Sequence, residues 1–141
     1  MGAQQGGKAI WQVPLAFLSA MILGGMFGMT GLGEYSMMDQ AVAVTVLVLG
    51  LMVATTARMS VPAGMLLVSI FALFHGYAHG AEMPAASSSL LYAAGFVFAT
   101  TILQVMGISL GLFARNRNSL NLIRYGGWVI AVSGIYLVAT T

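Results

Sequence analysis

This chain is almost without charge. Five Lys or Arg and three Asp or Glu are spread over 141 residues. They leave residues 9–33, 40–57, 59–81, 83–114 and 125–141 with no formal charge. A helix needs about 20 apolar residues to cross a bilayer core, and each stretch approaches or exceeds that length. In lipid, backbone N–H and C=O groups must be satisfied within the segment, which a helix does by itself. The sequence therefore predicts an all-α polytopic membrane protein, a bundle of five transmembrane helices at about 11–33, 40–57, 61–80, 89–114 and 122–140. A membrane barrel is excluded, because these stretches are too long and too continuously apolar for its alternating pattern. With no linker or low-complexity tract, residues 1–141 read as one transmembrane domain. The run after Lys8 is too long for a signal peptide and lacks a small-x-small cleavage site, so it reads as a retained helix.

Hydrophobic residues make up 60% of the chain. A soluble domain of this size has too much boundary to hide that much apolar surface. That excludes a water-soluble globular domain, a disordered chain and a nucleic-acid binder. The pI near 9.3 marks no basic patch. It follows from a net charge of +2 on a chain with few charges. The absence of cysteine removes disulfides, thiolate metal sites and thiol chemistry.

The few charges sort by loop. Lys8, Arg58, Arg115, Arg117 and Arg124 fall on one side of the five-span plan, and Glu34, Asp39 and Glu82 on the other. Basic residues collect on the cytoplasmic side, so the N-terminus is expected inside and the C-terminus outside. Trp11, Tyr35, Tyr92 and Tyr136 fall near span ends, where interfacial aromatics gather. Pro62 suits the first turn of the third helix and Pro14 that of the first.

Helices in lipid associate through close packing of small residues. Ala16, Ala20, Gly24 and Gly28 form a four-residue stripe on the first helix, and Ala72, Gly76 and Gly80 one on the third. Gly95, Ala99, Gly107 and Gly111 suggest a third stripe on the fourth helix, and Gly126 or Gly127 with Gly134 one on the fifth. The eleven methionines include Met21, Met26 and Met29 in the first helix and Met37 and Met38 in the outer loop that follows it. Thioethers favour copper(I), but in helices flexible packing is the plainer reading.

Titratable groups inside a membrane are costly and usually functional. They concentrate in Phe74-His75-Gly76-Tyr77-Ala78-His79-Gly80-Ala81-Glu82-Met83-Pro84. At about 100° per residue, His79 lies roughly 40° around the helix from His75, and Glu82 roughly 20° to the other side. An i, i+4 histidine pair has the spacing at which two imidazoles can reach one metal ion. A nearby carboxylate can be a third ligand or can orient an imidazole. Such a set suits nickel, cobalt, copper(II) or zinc. His75, His79 and Glu82 are thus the candidate metal residues, near the acidic outer loops. Asp39 and Gln104 are further candidates along a pathway. Catalytic zinc with these three ligands is chemically conceivable, but no nucleophile or oxyanion group accompanies them, so the chain does not read as an enzyme.

The segment Phe74 to Pro84 resembles the signature of the HupE/UreJ family, membrane proteins associated with nickel supply to hydrogenase and urease. The pattern F-H-G-x-A-H-G-x-E-x-P is met at Phe74, His75, Gly76, Ala78, His79, Gly80, Glu82 and Pro84. The stretches Gly6–Phe17, Tyr92–Gly111 and Tyr125–Gly127 extend the likeness over nearly the whole chain. Two departures stand out. The family's earlier helix with H-P-x-x-G-x-D-H has no counterpart here, so the chain is expected to be shorter at its N-terminus than the family. Gln104 also stands where the family often has histidine.

The resemblance implies transmembrane transport of a divalent transition metal, nickel first and cobalt second, handled by His75, His79 and Glu82. No cofactor is bound permanently. With no nucleotide-binding loop, a facilitating permease is implied. The alternative is a membrane accessory protein that binds metal without transporting it. Implied partners are the ion, the bilayer, and metallochaperones or hydrogenase and urease maturation proteins. A five-helix bundle lacking the earlier helix is also expected to leave a groove beside His75 and His79.

Overall fold

The computed structural model of the chain describes residues 7–31, 35–116 and 120–141. They form five helices: α1 (Ala9–Gly28), α2 (Tyr35–Ala54), α3 (Val61–Ala81), α4 (Ser89–Asn116) and α5 (Leu120–Thr140). All five contain spans long and apolar enough to cross a membrane, and no strand occurs among the described residues. At about 1.5 Å per residue, a 20-residue helix such as α1 reaches about 30 Å, the thickness of a bilayer core. The protein is a multi-pass helical membrane protein.

Several helix ends differ from the sequence reading. The first helix stops at Gly28 rather than near 33, and Gly31 follows with a positive φ of 68°. Because α1 starts at Ala9, Pro14 lies inside the helix rather than in its first turn. The second helix begins at Tyr35, which places Met37, Met38 and Asp39 on a helix instead of in a loop. Pro62 does sit at the start of α3, just after Ser60 in extended conformation, where its missing N–H costs nothing. The second helix closes through two reverse bonds, Thr56 N–H to Val53 O and Ala57 N–H to Met52 O. This Schellman arrangement puts Thr56 at φ 53°, where glycine is usual.

Two helix pairs hold the bundle together. The first is α1 with α3. A Cβ placed on Gly24 or Gly28 would fall on the backbone of Leu73 or Tyr77, and one on Gly76 or Gly80 on the backbone of Met21 or Gly25. Backbone meets backbone there, as small residues permit. Ala20 and Ala72 are buried in the same seam, with Met21 beside them. The contacts advance together along both chains, so α1 and α3 run parallel, as two odd-numbered spans must. The second pair is α2 with α5. Gly50 lies against Ala131, Gly127 against Ala54 and Gly134 against Leu47. Here one chain advances as the other retreats, so the helices are antiparallel. Arg124 Nε donates to Ala54 O at 3.2 Å, supplying a partner to a carbonyl at the α2 C-terminus.

The fourth helix departs from expectation. A Cβ on Gly95 or Gly107 would meet nothing within 4 Å. These glycines do not form a packing stripe, and α4 buries the smallest share of any span. Gly126 is likewise open, leaving Gly127 as the packed member of its pair.

Candidate metal site at the end of the third helix

The α1–α3 seam fixes where the histidines stand. Gly76 and Gly80 each follow a histidine and press against α1. His75 and His79 therefore flank that seam, one turn apart, rather than lying within it.

His75 meets α2. Its Nδ1 is 3.1 Å from the carbonyl oxygen of Phe71 and 3.3 Å from Thr45 Oγ1. Thr45 is 3% exposed, and its hydroxyl donates to Val42 O at 2.7 Å. His79 meets α4 instead. Its ring centroid lies 4.9 Å from that of Phe96, with the planes tilted by 50°. The Tyr92 hydroxyl donates to the backbone carbonyl of His79 at 2.9 Å. Tyr92 and Phe96 occupy successive turns of one α4 face, and both close on the last turn of α3.

Glu82 stands at the C-cap of α3, beyond the last helical residue. Its Oε2 is 3.9 Å from His79 Nδ1, and both side chains are largely in the open, at 62% and 47% exposure. That distance is an ion-pair contact at its outer limit and too long for a hydrogen bond.

No group of three or more His, Asp, Glu or Cys residues able to hold one ion occurs among the described residues. In this arrangement His75, His79 and Glu82 do not converge on one point. The two imidazoles are drawn to different neighbouring helices, and the carboxylate sits past the helix end. What the residues offer is a succession of imidazole and carboxylate donors along the C-terminal part of α3.

The two pathway candidates stand on α2 and α4. Asp39 is exposed on the early part of α2. Gln104 turns to α1, where its Nε2 donates to Pro14 O at 3.3 Å. Pairing with that backbone carbonyl accounts for Gln104 without any contact to a histidine.

A groove of about 560 Å³ opens between α1, α3 and α4. Met21, Met26, Met29, Tyr92, Phe96 and His79 are among the residues lining it. Its presence beside His79 matches the expected groove, but His75 is not among its lining residues. Thr45, Phe96 and the hydroxyl of Tyr92 are the contacts that sequence reasoning missed. One signal was present for Thr45: it is the sole polar side chain between Gln40 and Thr55.

The sequence profile of the "HupE / UreJ protein" family matches residues 1–137. Protein HupE of Rhizobium leguminosarum bv. viciae is 41% identical over 133 residues, which cover 94% of this chain and 69% of that protein. No solved structure matches the chain significantly.

Proposed function

The chain belongs to the HupE/UreJ family, and from that membership we propose that it transports a divalent transition metal across the bacterial inner membrane. Membership supports metal handling in general, in an accessory and transport family rather than a catalytic one. Nickel as the ion, with cobalt as the second choice, is our reading of the imidazole and carboxylate donors. The ion is cargo, and no permanent cofactor is required. It would serve hydrogenase or urease maturation, with metallochaperones or maturation proteins receiving it inside. The N-terminus lies in the cytoplasm and the C-terminus outside, as the loop charges favour.

The observation that carries the proposal is the staggered pair His75 and His79 on one turn-to-turn face of a membrane-spanning helix. Each imidazole has its own neighbour, Thr45 for His75 and Phe96 for His79. A conducting site must bind well enough to admit an ion and weakly enough to release it. Separate ligands passed in sequence meet that need better than a closed cage. Glu82, exposed at the helix end, would meet the ion first, then His79, then His75. Radioactive nickel accumulation by intact cells expressing the chain tests this reading. Accumulation above that of cells with an empty vector supports transport. Metal binding by the purified protein without accumulation would favour the accessory role instead.

A further inference from the structure

The contacts around His75 decide which of its nitrogens holds the proton. A neutral imidazole carries hydrogen on one nitrogen and a lone pair on the other. His75 Nδ1 faces two oxygens, Phe71 O at 3.1 Å and Thr45 Oγ1 at 3.3 Å. The carbonyl of Phe71 can only accept. The Thr45 hydroxyl hydrogen is committed to Val42 O, at the shorter distance of 2.7 Å, which leaves its oxygen as an acceptor. Both oxygens therefore call for a hydrogen on Nδ1. The opposite tautomer would set the Nδ1 lone pair against the Phe71 carbonyl oxygen. It would also require Thr45 to abandon Val42. Thr45 is buried, so no water stands ready to make good that loss.

Building on the transport reading above, we propose that Thr45 is a positioning residue. It fixes His75 in the Nδ1–H form and so reserves the lone pair of Nε2 for the metal ion. A ligating histidine commonly donates its other N–H to an oxygen, which sets the tautomer and ring orientation and raises the basicity of the ligating nitrogen. The oxygen comes from α2 while the imidazole stands on α3. The ligand's orientation thus depends on how these two helices pack.

Two arms test this in the 141-residue chain. In the first, nickel uptake into proteoliposomes is measured over a range of nickel concentrations for wild type, Thr45→Val and Thr45→Ser. Loss of a partner that orients a ligand typically weakens metal affinity about 10- to 100-fold. Phe71 O remains in Thr45→Val, so the half-saturating nickel concentration should rise by about tenfold, the low end of that range. Thr45→Ser keeps the oxygen and should stay near wild type. In the second arm, nitrogen NMR of histidine-labelled, metal-free protein in nanodiscs reads the tautomer directly, with His79→Gln used to assign the signals. Wild type and Thr45→Ser should show Nδ1–H at His75, and Thr45→Val a mixture of both tautomers. An Nε2–H signal for His75 in wild type, or an unchanged half-saturation in Thr45→Val, overturns the proposal. A chain that takes up no nickel refutes the transport reading instead, and the metal-free tautomer then still decides the role of Thr45.

Discussion

Gly24 and Gly107 are both glycines inside apolar helices, yet their replacement by alanine should have opposite outcomes. A Cβ on Gly24 would fall on the carbonyl oxygen of Leu73 and lie 3.0 Å from both the carbonyl carbon and Cα of that residue. Carbon atoms rest at about 3.5–4.0 Å. Rotating a side chain cannot relieve the clash, because its partner is backbone. The α1–α3 seam would have to open by about 0.5–1 Å, and the buried contacts of Ala20, Met21 and Ala72 would loosen with it. Overpacking of this kind typically costs about 1–3 kcal/mol. At Gly107 the added methyl meets nothing within 4 Å. There the change should be neutral, or stabilising by up to about 1 kcal/mol, since glycine is the poorer helix former. Reversible unfolding in mixed micelles, followed by the exposed aromatic signal, would measure both variants on one scale. A destabilised Gly24→Ala beside an unaffected Gly107→Ala supports the described seam. Equal effects, or a larger loss at Gly107, would refute the packing argument for α1, α3 and α4 together.

Other expectations follow from single contacts. Glu82→Gln should lower nickel uptake by less than about fivefold, because an exposed pair at 3.9 Å contributes at most about 1 kcal/mol. A loss as large as that of His79→Ala would make Glu82 a ligand on a par with the histidines rather than a weak first point of capture. Tyr92→Phe removes the bond to His79 O and should cost about 1 kcal/mol in the same unfolding assay. Thr56→Gly relieves a left-handed backbone at a branched residue and should stabilise by about 1 kcal/mol, and a loss of stability would count against the observed turn. For orientation, a cysteine at Ser88 should react with an impermeant thiol reagent from outside, while one at Ser119, which lies outside the described residues, should not. The reverse pattern would invert the topology.

The spans were legible because lipid leaves a chain so few choices. Stretches without Lys, Arg, Asp or Glu announced the helices, and the Ala16-to-Gly28 stripe announced a seam. The partner of that stripe was not legible, since which helices meet is a long-range property. The same four-residue spacing that marks a true seam at Gly24 and Gly28 marks none at Gly95 and Gly107. Periodicity reports a smooth face but not whether another helix lies on it. The histidines show the same limit. Their spacing put both on one face of α3, and the helix does place them a turn apart. Their separate fates depend on Thr45 and Phe96, which are remote in sequence from the motif. Gln104 stood out as a polar residue in an apolar span, but nothing in its own segment showed that the backbone of α1 takes its hydrogen bond.

The most direct measurement is nickel entry into proteoliposomes holding a nickel-quenched dye, with the purified chain as the only protein. Wild type, His75→Ala and His79→Ala would be reconstituted at equal density, each first shown to elute as the same monodisperse species. The account predicts prompt quenching for wild type and loss of most of that rate in either variant, because the chain has no third histidine to substitute. Quenching at the wild-type rate in both variants, or none with wild type, would contradict it.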